Sequence, residues 1–277
     1  MDGGSSLTTI IEASTPLGIP WNELWNYREL LYFLTVRDIK IRYKQTALGA
    51  AWAILQPVMT MVVFSVFFGR LAGMDSRTGG VPYPIYVYIG LLPWTFFANA
   101  LANCGNSVVG SSNLITKVYF PRLIIPFASV GVGLVDLALS FSVLAAMMVF
   151  YHVGVSWNLM LAPLFLFGVT LASVGVGTLV SALTVAFRDF RYVVPFVVQL
   201  WMFVTPVIYP SNLIPAKWRW LQAINPMAGL IDGFRSAFLN RPFDWLHIGI
   251  SLLVSVALFL YGIAYFRSVE RRFADII

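Results

Sequence analysis

Six long apolar stretches, near residues 48–68, 85–109, 123–151, 159–187, 192–209 and 246–266, constrain this chain more than any other feature. A helix rising about 1.5 Å per residue needs about 20 mostly apolar residues to cross a bilayer core. Composition agrees, because 59% of the 277 residues are hydrophobic and 11% charged, against about 45–50% and about 25% in a soluble domain. The expected fold class is therefore an all-α integral membrane protein with six transmembrane helices. No internal repeat, low-complexity tract or long linker points to a second domain. Residues 1–20 are polar and small, without a basic run leading into an apolar core, and read as a flexible cytoplasmic tail rather than a cleavable signal peptide.

An even number of spans puts both termini on one side, and the Lys/Arg excess marks the cytoplasm. Arg70, Arg77, Lys217, Arg219, Arg235 and Arg241 fall on one side; the remaining 12 of the 18 basic residues fall with the termini, among them Arg28, Arg37, Lys40, Arg42, Lys44, Lys117, Arg122, Arg188, Arg191, Arg267, Arg271 and Arg272. Both termini are expected in the cytoplasm. The net charge of +6 is scattered over loops instead of gathered on a polar domain, which favours membrane orientation over nucleic-acid binding.

Catalytic signatures are missing from the sequence. There is no GxxxxGK[ST], no HExxH, no metal-spaced Cys/His cluster and no nucleophile elbow. The single Cys104 lies in an apolar run and reads as a small packing residue. His152 and His247 stand alone at the outer borders of spans and read as interfacial.

Three segments outside the spans carry a pattern. Over 21–45, Leu24, Tyr27, Leu31, Leu34 and Ile41 share one helical face, and Arg37, Lys40, Arg42 and Lys44 make the end basic. This is an amphipathic helix expected along the inner membrane surface, either as an anchor on anionic lipid or as part of a partner's receiving surface. Over 112–120, NLITKVYF puts Leu114, Ile115, Val118 and Tyr119 on one face, Ser111 or Ser112 can cap its start, and Pro121 ends it. Two turns are not stable alone, so either a partner or lipid headgroups must hold this helix. Over 215–239, two short helices, near Ala216–Ile224 and Met227–Leu239, flank a break at Asn225-Pro226. Each is about half a membrane thick, so the pair re-enters from the outer side or lies flat on it.

Within the spans, polar side chains are few enough to be singled out. Asp136 is the one acid deep in a span, where insertion costs about 2.5–3.5 kcal/mol; it reads as a structural hydrogen bond or ion pair, or else as a proton site. Asn99, Asn103 and Asn106 recur at spacings of four and three on one helical face. They either bond a neighbouring helix or line a path for something rich in hydroxyls. Tyr86, Trp94 and Trp201 belong to an outer aromatic cluster, an interfacial belt or a stacking surface for sugar rings. Arg188-Asp189 offers a second cytoplasmic contact or a local ion pair.

Five strings in order extend this reading: RDIKIRYKQTALGAAWAILQP (37–57), LITKVYFPRLIIP (114–126), AFRDFRYVVPF (186–196), TPVIYP (205–210) and INPMAGLIDGFRSAFL (224–239). On these the chain resembles the membrane subunit of ABC-2-type exporters of polysaccharides, the group that moves O antigens, capsules and teichoic acids. The resemblance implies a homodimer in the bacterial inner membrane working with two copies of a separate ATPase that binds ATP and Mg, and a lipid-linked polysaccharide as substrate. It also implies that residues 112–120, with Leu114, Ile115, Thr116, Lys117, Val118, Tyr119, Phe120 and Arg122, form a coupling helix seated on the ATPase. The broken pair at 215–239 then corresponds to re-entrant outer helices bounding the conduit's exit. A proton-coupled secondary transporter using Asp136 is the alternative; a membrane-embedded transferase lacks the acid or His cluster it needs.

Overall fold

The computed structural model describes residues 21–44, 51–270 and 273. The expected tail over 1–20, the start of the first span at residues 48–50, and Arg271 and Arg272 lie outside the described residues. Among those described there is no strand. The elements are α1 (Trp21–Asn26), α2 (Arg28–Lys44), α3 (Ala51–Phe64, continued by a π-helical turn Ser65–Leu71), α4 (Tyr83–Gly110), α5 (Ser112–Lys117), α6 (Ile124–Phe150), α7 (Ala162–Ala186), α8 (Phe190–Val204), α9 (Arg219–Ile224), α10 (Pro226–Leu239) and α11 (Trp245–Val269).

Five helices are long and apolar enough to cross a membrane: α3 with its extension, α4, α6, α7 with the turn Trp157–Leu161 before it, and α11. The sixth expected span, near 192–209, is shorter than the sequence suggests. α8 has 15 residues, about 22 Å of helix against a hydrocarbon core of about 30 Å. Pro206 explains the stop, since a residue before proline is driven out of the helical region, and Thr205 is extended with φ −91° and ψ 140°.

α4 is the central element. From Ile85 to Trp94 every residue is buried, as expected of a helix that is apolar all round, and α3, α6, α7, α8 and α10 surround it. α4 runs unbroken through Pro93. Cys104 is fully buried against Gly177, the packing role expected of it.

α7 and α11 cross at two glycines. A Cβ on Gly262 would stand 2.0 Å from the Gly175 carbonyl oxygen, and one on Gly175 would stand 2.5 Å from the Phe259 backbone. Neither obstacle is a flexible side chain, so any Cβ forces the helices apart, in a solvent where close packing drives helix association. Gly262→Ala should cost about 1–3 kcal/mol and lower the thermal midpoint of the detergent-solubilised chain. An unchanged midpoint would show that the crossing is looser than this geometry requires.

The helix expected over 21–45 forms in two pieces and turns most of its expected apolar face onto the chain's own core. α1 and α2 are joined at Tyr27 without loss of backbone hydrogen bonding, and α2 packs along α6. Leu34 is buried, and Leu24, Tyr27 and Leu31 are partly so. Ile41, expected on the same face, is 57% exposed. At this end of α2 the inward direction is taken by Arg42 and Tyr43, which reach Asp136 on α6. Thr35 meets α6 at Gly131, where a side chain would not fit without displacing it.

The broken pair forms at the expected place. α9 begins at Arg219, three residues later than expected, after a 3-10 turn Ala216–Trp218. Asn225 is extended at ψ 114° and caps α10, its side chain accepting the Met227 N–H at 3.0 Å. α10 is an interior helix: Met227, Leu230, Ile231 and Phe234 are at most 1% exposed, packed among α4, α7 and α11.

Candidate functional site

The segment after α4 is built differently from the two-turn helix expected over 112–120. α5 ends at Lys117, and Val118 is extended at φ −132° and ψ 135°. Ser111 holds the cap position, but no side chain caps this helix; the Ser111 carbonyl accepts the N–H groups of Leu114 and Ile115 at 2.9 and 3.1 Å. The expected apolar face therefore divides. Ile115 and Phe120 are buried, with Leu114 packed beside them, in a cluster that includes Leu34, Val108, Leu123 and Phe266. Thr116 and Lys117 are exposed, and so are Val118 at 52% and Tyr119 at 76%.

The physical reason is the early stop. Positions 114, 115, 118 and 119 share a face only while the helix continues, and the extended turn at Val118 sends 118 and 119 outward. Arg122 is also engaged by its own chain, donating to the Glu270 carbonyl beyond α11. Between α7 and α8, Arg188 and Asp189 are both exposed, and no ion pair joins them among the described residues.

Next to this segment is a polar cleft. Asn99 lines a cavity of about 240 Å³ bounded by α2, α3, α4 and α6, together with Arg42, Tyr43, Gln56, Asp136 and Ser140. Asn103 and Asn106 line a second cavity of about 740 Å³ with Arg37, Asp38, Asn113 and Ser129. Arg42 borders both, so the three asparagines line two neighbouring cavities. Asn106 bonds back to Ala102 in its own helix at 3.0 Å, and among the described residues none of the three asparagines bonds a neighbouring helix.

Asp136 is held as an ion pair at a helix interface. Arg42 Nη1 lies 2.7 Å from its Oδ2, and the Tyr43 hydroxyl donates to Oδ1. Ser140, one turn on, donates to the Ala53 carbonyl of α3 at 3.0 Å, so α2, α3 and α6 meet around one carboxylate. Among the described residues no group of three His, Cys, Asp or Glu gathers anywhere. Of the remaining basic residues, Arg37 pairs with its neighbour Asp38 at 2.8 Å, and Lys40 and Lys44 are exposed.

Tyr86, Trp94 and Trp201 line neither of these cavities. Tyr86 and Trp94 are 2% and 3% exposed because α4 is enclosed on all sides between Ile85 and Trp94. Trp201 packs edge-on against Trp94 and Phe97, with ring centroids 6.3 and 5.2 Å away, and its Nε1 donates to Asn225 Oδ1 at 3.2 Å. Asn225 in turn donates to Thr205 Oγ1 at 2.8 Å, tying the end of α8 to the start of α10. Pro226 opens α10 as its first residue.

Sequence reasoning missed Arg235. It is 2% exposed, donates to the carbonyls of Pro206 and Val207 at 3.1 and 2.8 Å and to Asp232 at 3.0 Å, and lies 4.0 Å over the Tyr86 ring. The signal was available: an Arg three residues after an Asp inside an otherwise apolar helix, directly following a segment stopped by proline. His247 accompanies Asp244 at the start of α11, ring to carboxylate at 2.6 Å. His152 is an exposed turn residue at φ 54°.

Several helices long and apolar enough to cross a membrane, with polar cavities along α4, define a multi-pass membrane protein. The ABC-2 type transporter family matches residues 29–239, and the chain belongs to that family. It is 28% identical over 253 residues to the O-antigen export system permease protein RfbA of Klebsiella pneumoniae, covering 90% of this chain and 95% of that one. It is 29% identical over 258 residues to the protein of the same name from Myxococcus xanthus, covering 92% and 98%. It is 31% identical over 199 residues to the inner membrane transport permease YadH of Escherichia coli K12, covering 68% and 75%.

Proposed function

We propose that this chain is the transmembrane subunit of an ATP-driven exporter that carries a lipid-linked polysaccharide, O antigen above all, from the cytoplasmic to the outer side of the bacterial inner membrane. The observation that carries this reading is the adjacency of two features: an exposed, anchored tip at 116–119 and a polar cleft lined by Asn103, Asn106 and Asn113 directly behind it. Asparagine amides offer both donors and acceptors to hydroxyl-rich chains. Family membership and two relatives named for O-antigen export support the same substrate class.

In this reading the termini and α5 face the cytoplasm, ATP and Mg are bound by two copies of a partner ATPase, and two copies of this chain enclose the conduit. Support for pairing comes from α3 and α8, whose outward faces expose Trp52, Met59 and Phe67, and Tyr192, Phe196 and Leu200, to be shared between lipid and the second copy. α8 with the non-helical Thr205–Tyr209 completes a sixth crossing, and α9 and α10 re-enter from the outer side.

Affinity purification from native membranes should recover a nucleotide-binding chain with this one, and an ATPase-dead partner should stop export. Recovery without such a chain, together with export that continues when the ATPase is inactive, would refute the reading. The alternative, a proton-coupled carrier using Asp136, is disfavoured by the Arg42 and Tyr43 partners that already engage the carboxylate.

A further inference from the structure

Away from the asparagine cleft, four arginines from separate parts of the chain converge on one cavity of about 440 Å³. Arg77 ends the 3-10 turn Met74–Arg77, Arg219 opens α9, Arg235 lies in α10 and Arg241 follows it. Two carboxylates and a histidine share the cavity and are already engaged, Asp232 with Arg235 at 3.0 Å and Asp244 with His247 at 2.6 Å. That leaves Arg77, Arg219 and Arg241 with no carboxylate among the described residues. Arg241 donates to the Thr78 carbonyl, which orients its guanidinium without neutralising it. Cations gathered in a concavity raise the local potential and concentrate anions there.

A second observation is independent of that charge count. Arg235 and Gln222, 2% and 9% exposed, both border the cavity, and each buries an N–H donor with no acceptor, Nε of Arg235 and Nε2 of Gln222. An orphaned buried donor costs about 1–3 kcal/mol, and both orphans are donors, so the complementary group is an acceptor. Planar guanidinium forks suit the oxygens of a phosphoryl group. Trp218 and Trp220, 50% and 60% exposed, flank Arg219, and tryptophan at such positions marks headgroup depth in a membrane.

We infer that this cavity binds a phosphoryl group carried on a lipid, with Arg77, Arg219 and Arg241 supplying charge and Gln222 and Arg235 supplying buried donors. Its volume falls within the range of small-ligand sites and is too small for a polymer. The binding stands on this geometry alone; its use, to receive the phosphate end of the exported lipid on the outer side, rests on the exporter reading above.

The test uses the full chain, wild type and R77Q/R219Q, both substituted positions being exposed. Titration calorimetry with inorganic pyrophosphate, at constant ionic strength, should show binding to wild type that weakens at least tenfold in the variant. Nanodiscs of phosphatidylcholine with and without phosphatidic acid form the second arm. Thermal protection of wild type by phosphatidic acid alone, absent in the variant, would support the site and show that it needs the lipid's chains as well as its phosphate. No difference between wild type and variant in either arm would overturn the proposal. Failure of the exporter reading shows elsewhere, as export that does not depend on an ATPase, and leaves both binding arms intact.

Discussion

Replacing Val118 and Tyr119 together with serine should reduce export at least tenfold and release the ATPase, while membrane insertion and thermal midpoint stay near wild type. Both side chains are exposed and sit on a turn anchored by buried Ile115 and Phe120 and by Arg122. Their removal takes nothing from the chain's own packing. An exposed tyrosine at the centre of a docking surface is the kind of residue whose truncation costs 2 kcal/mol or more in binding, enough for a tenfold loss. Ile115→Ser makes the contrast, because it removes a buried apolar side chain worth about 1.5–3 kcal/mol and should lower the midpoint before any question of coupling arises. Co-purification with the ATPase, export and melting, measured on the two variants side by side, separate docking from folding. Full recruitment and export by the Val118/Tyr119 variant would remove this turn from the coupling surface.

Asp136→Ala should be the most damaging single polar change. It removes the carboxylate that Arg42 pairs with and the acceptor of Tyr43, and breaking one side of a buried pair costs about 3–5 kcal/mol. Arg42 is 39% exposed and can turn to the cleft, so about 2 kcal/mol is the better expectation once solvent screening is allowed for. Removing both charges, as Asp136→Leu with Arg42→Met, should restore much of that loss, since a packed apolar pair often matches a buried ion pair. Melting of the single and double variants checks this; a double variant no more stable than the single would show that the carboxylate has another partner. Asp136→Asn keeps an acceptor for Tyr43, and its ATP-dependent export should continue. Abolished export in that variant would revive the proton-site alternative.

How far these features were legible in the residues differs from one to the next. The spanning helices followed from length and apolarity, because hydrocarbon admits few other backbones. The break at Asn225-Pro226 followed from the local sterics of proline. α8 was overestimated because the apolar run continues past Pro206, and hydropathy does not register where a helix must stop. In α5 the periodicity was sound but its extent was not, and a stop one turn early moved Val118 and Tyr119 from an inward to an outward direction.

Asp136 could be recognised as needing a partner, although nothing in its own span named one. Its partners stand 93 and 94 positions earlier in the chain, in a helix whose inward face the sequence pattern assigned to Ile41. Tyr86 and Trp94 look outward by composition and are enclosed by neighbours that composition does not place. The four arginines that share a cavity are spread from Arg77 to Arg241, and no spacing rule gathers them.

By itself, the sequence determined the environment and the backbone: a multi-pass helical membrane protein of the ABC-2 family, with its polar exceptions at Asp136, at the three asparagines of α4 and at 112–120. Tertiary structure alone decided what those exceptions face. Periodicity assigns a residue to a side of its helix, but only the packing of other helices determines whether that side meets lipid, a cleft, a partner or the chain's own core.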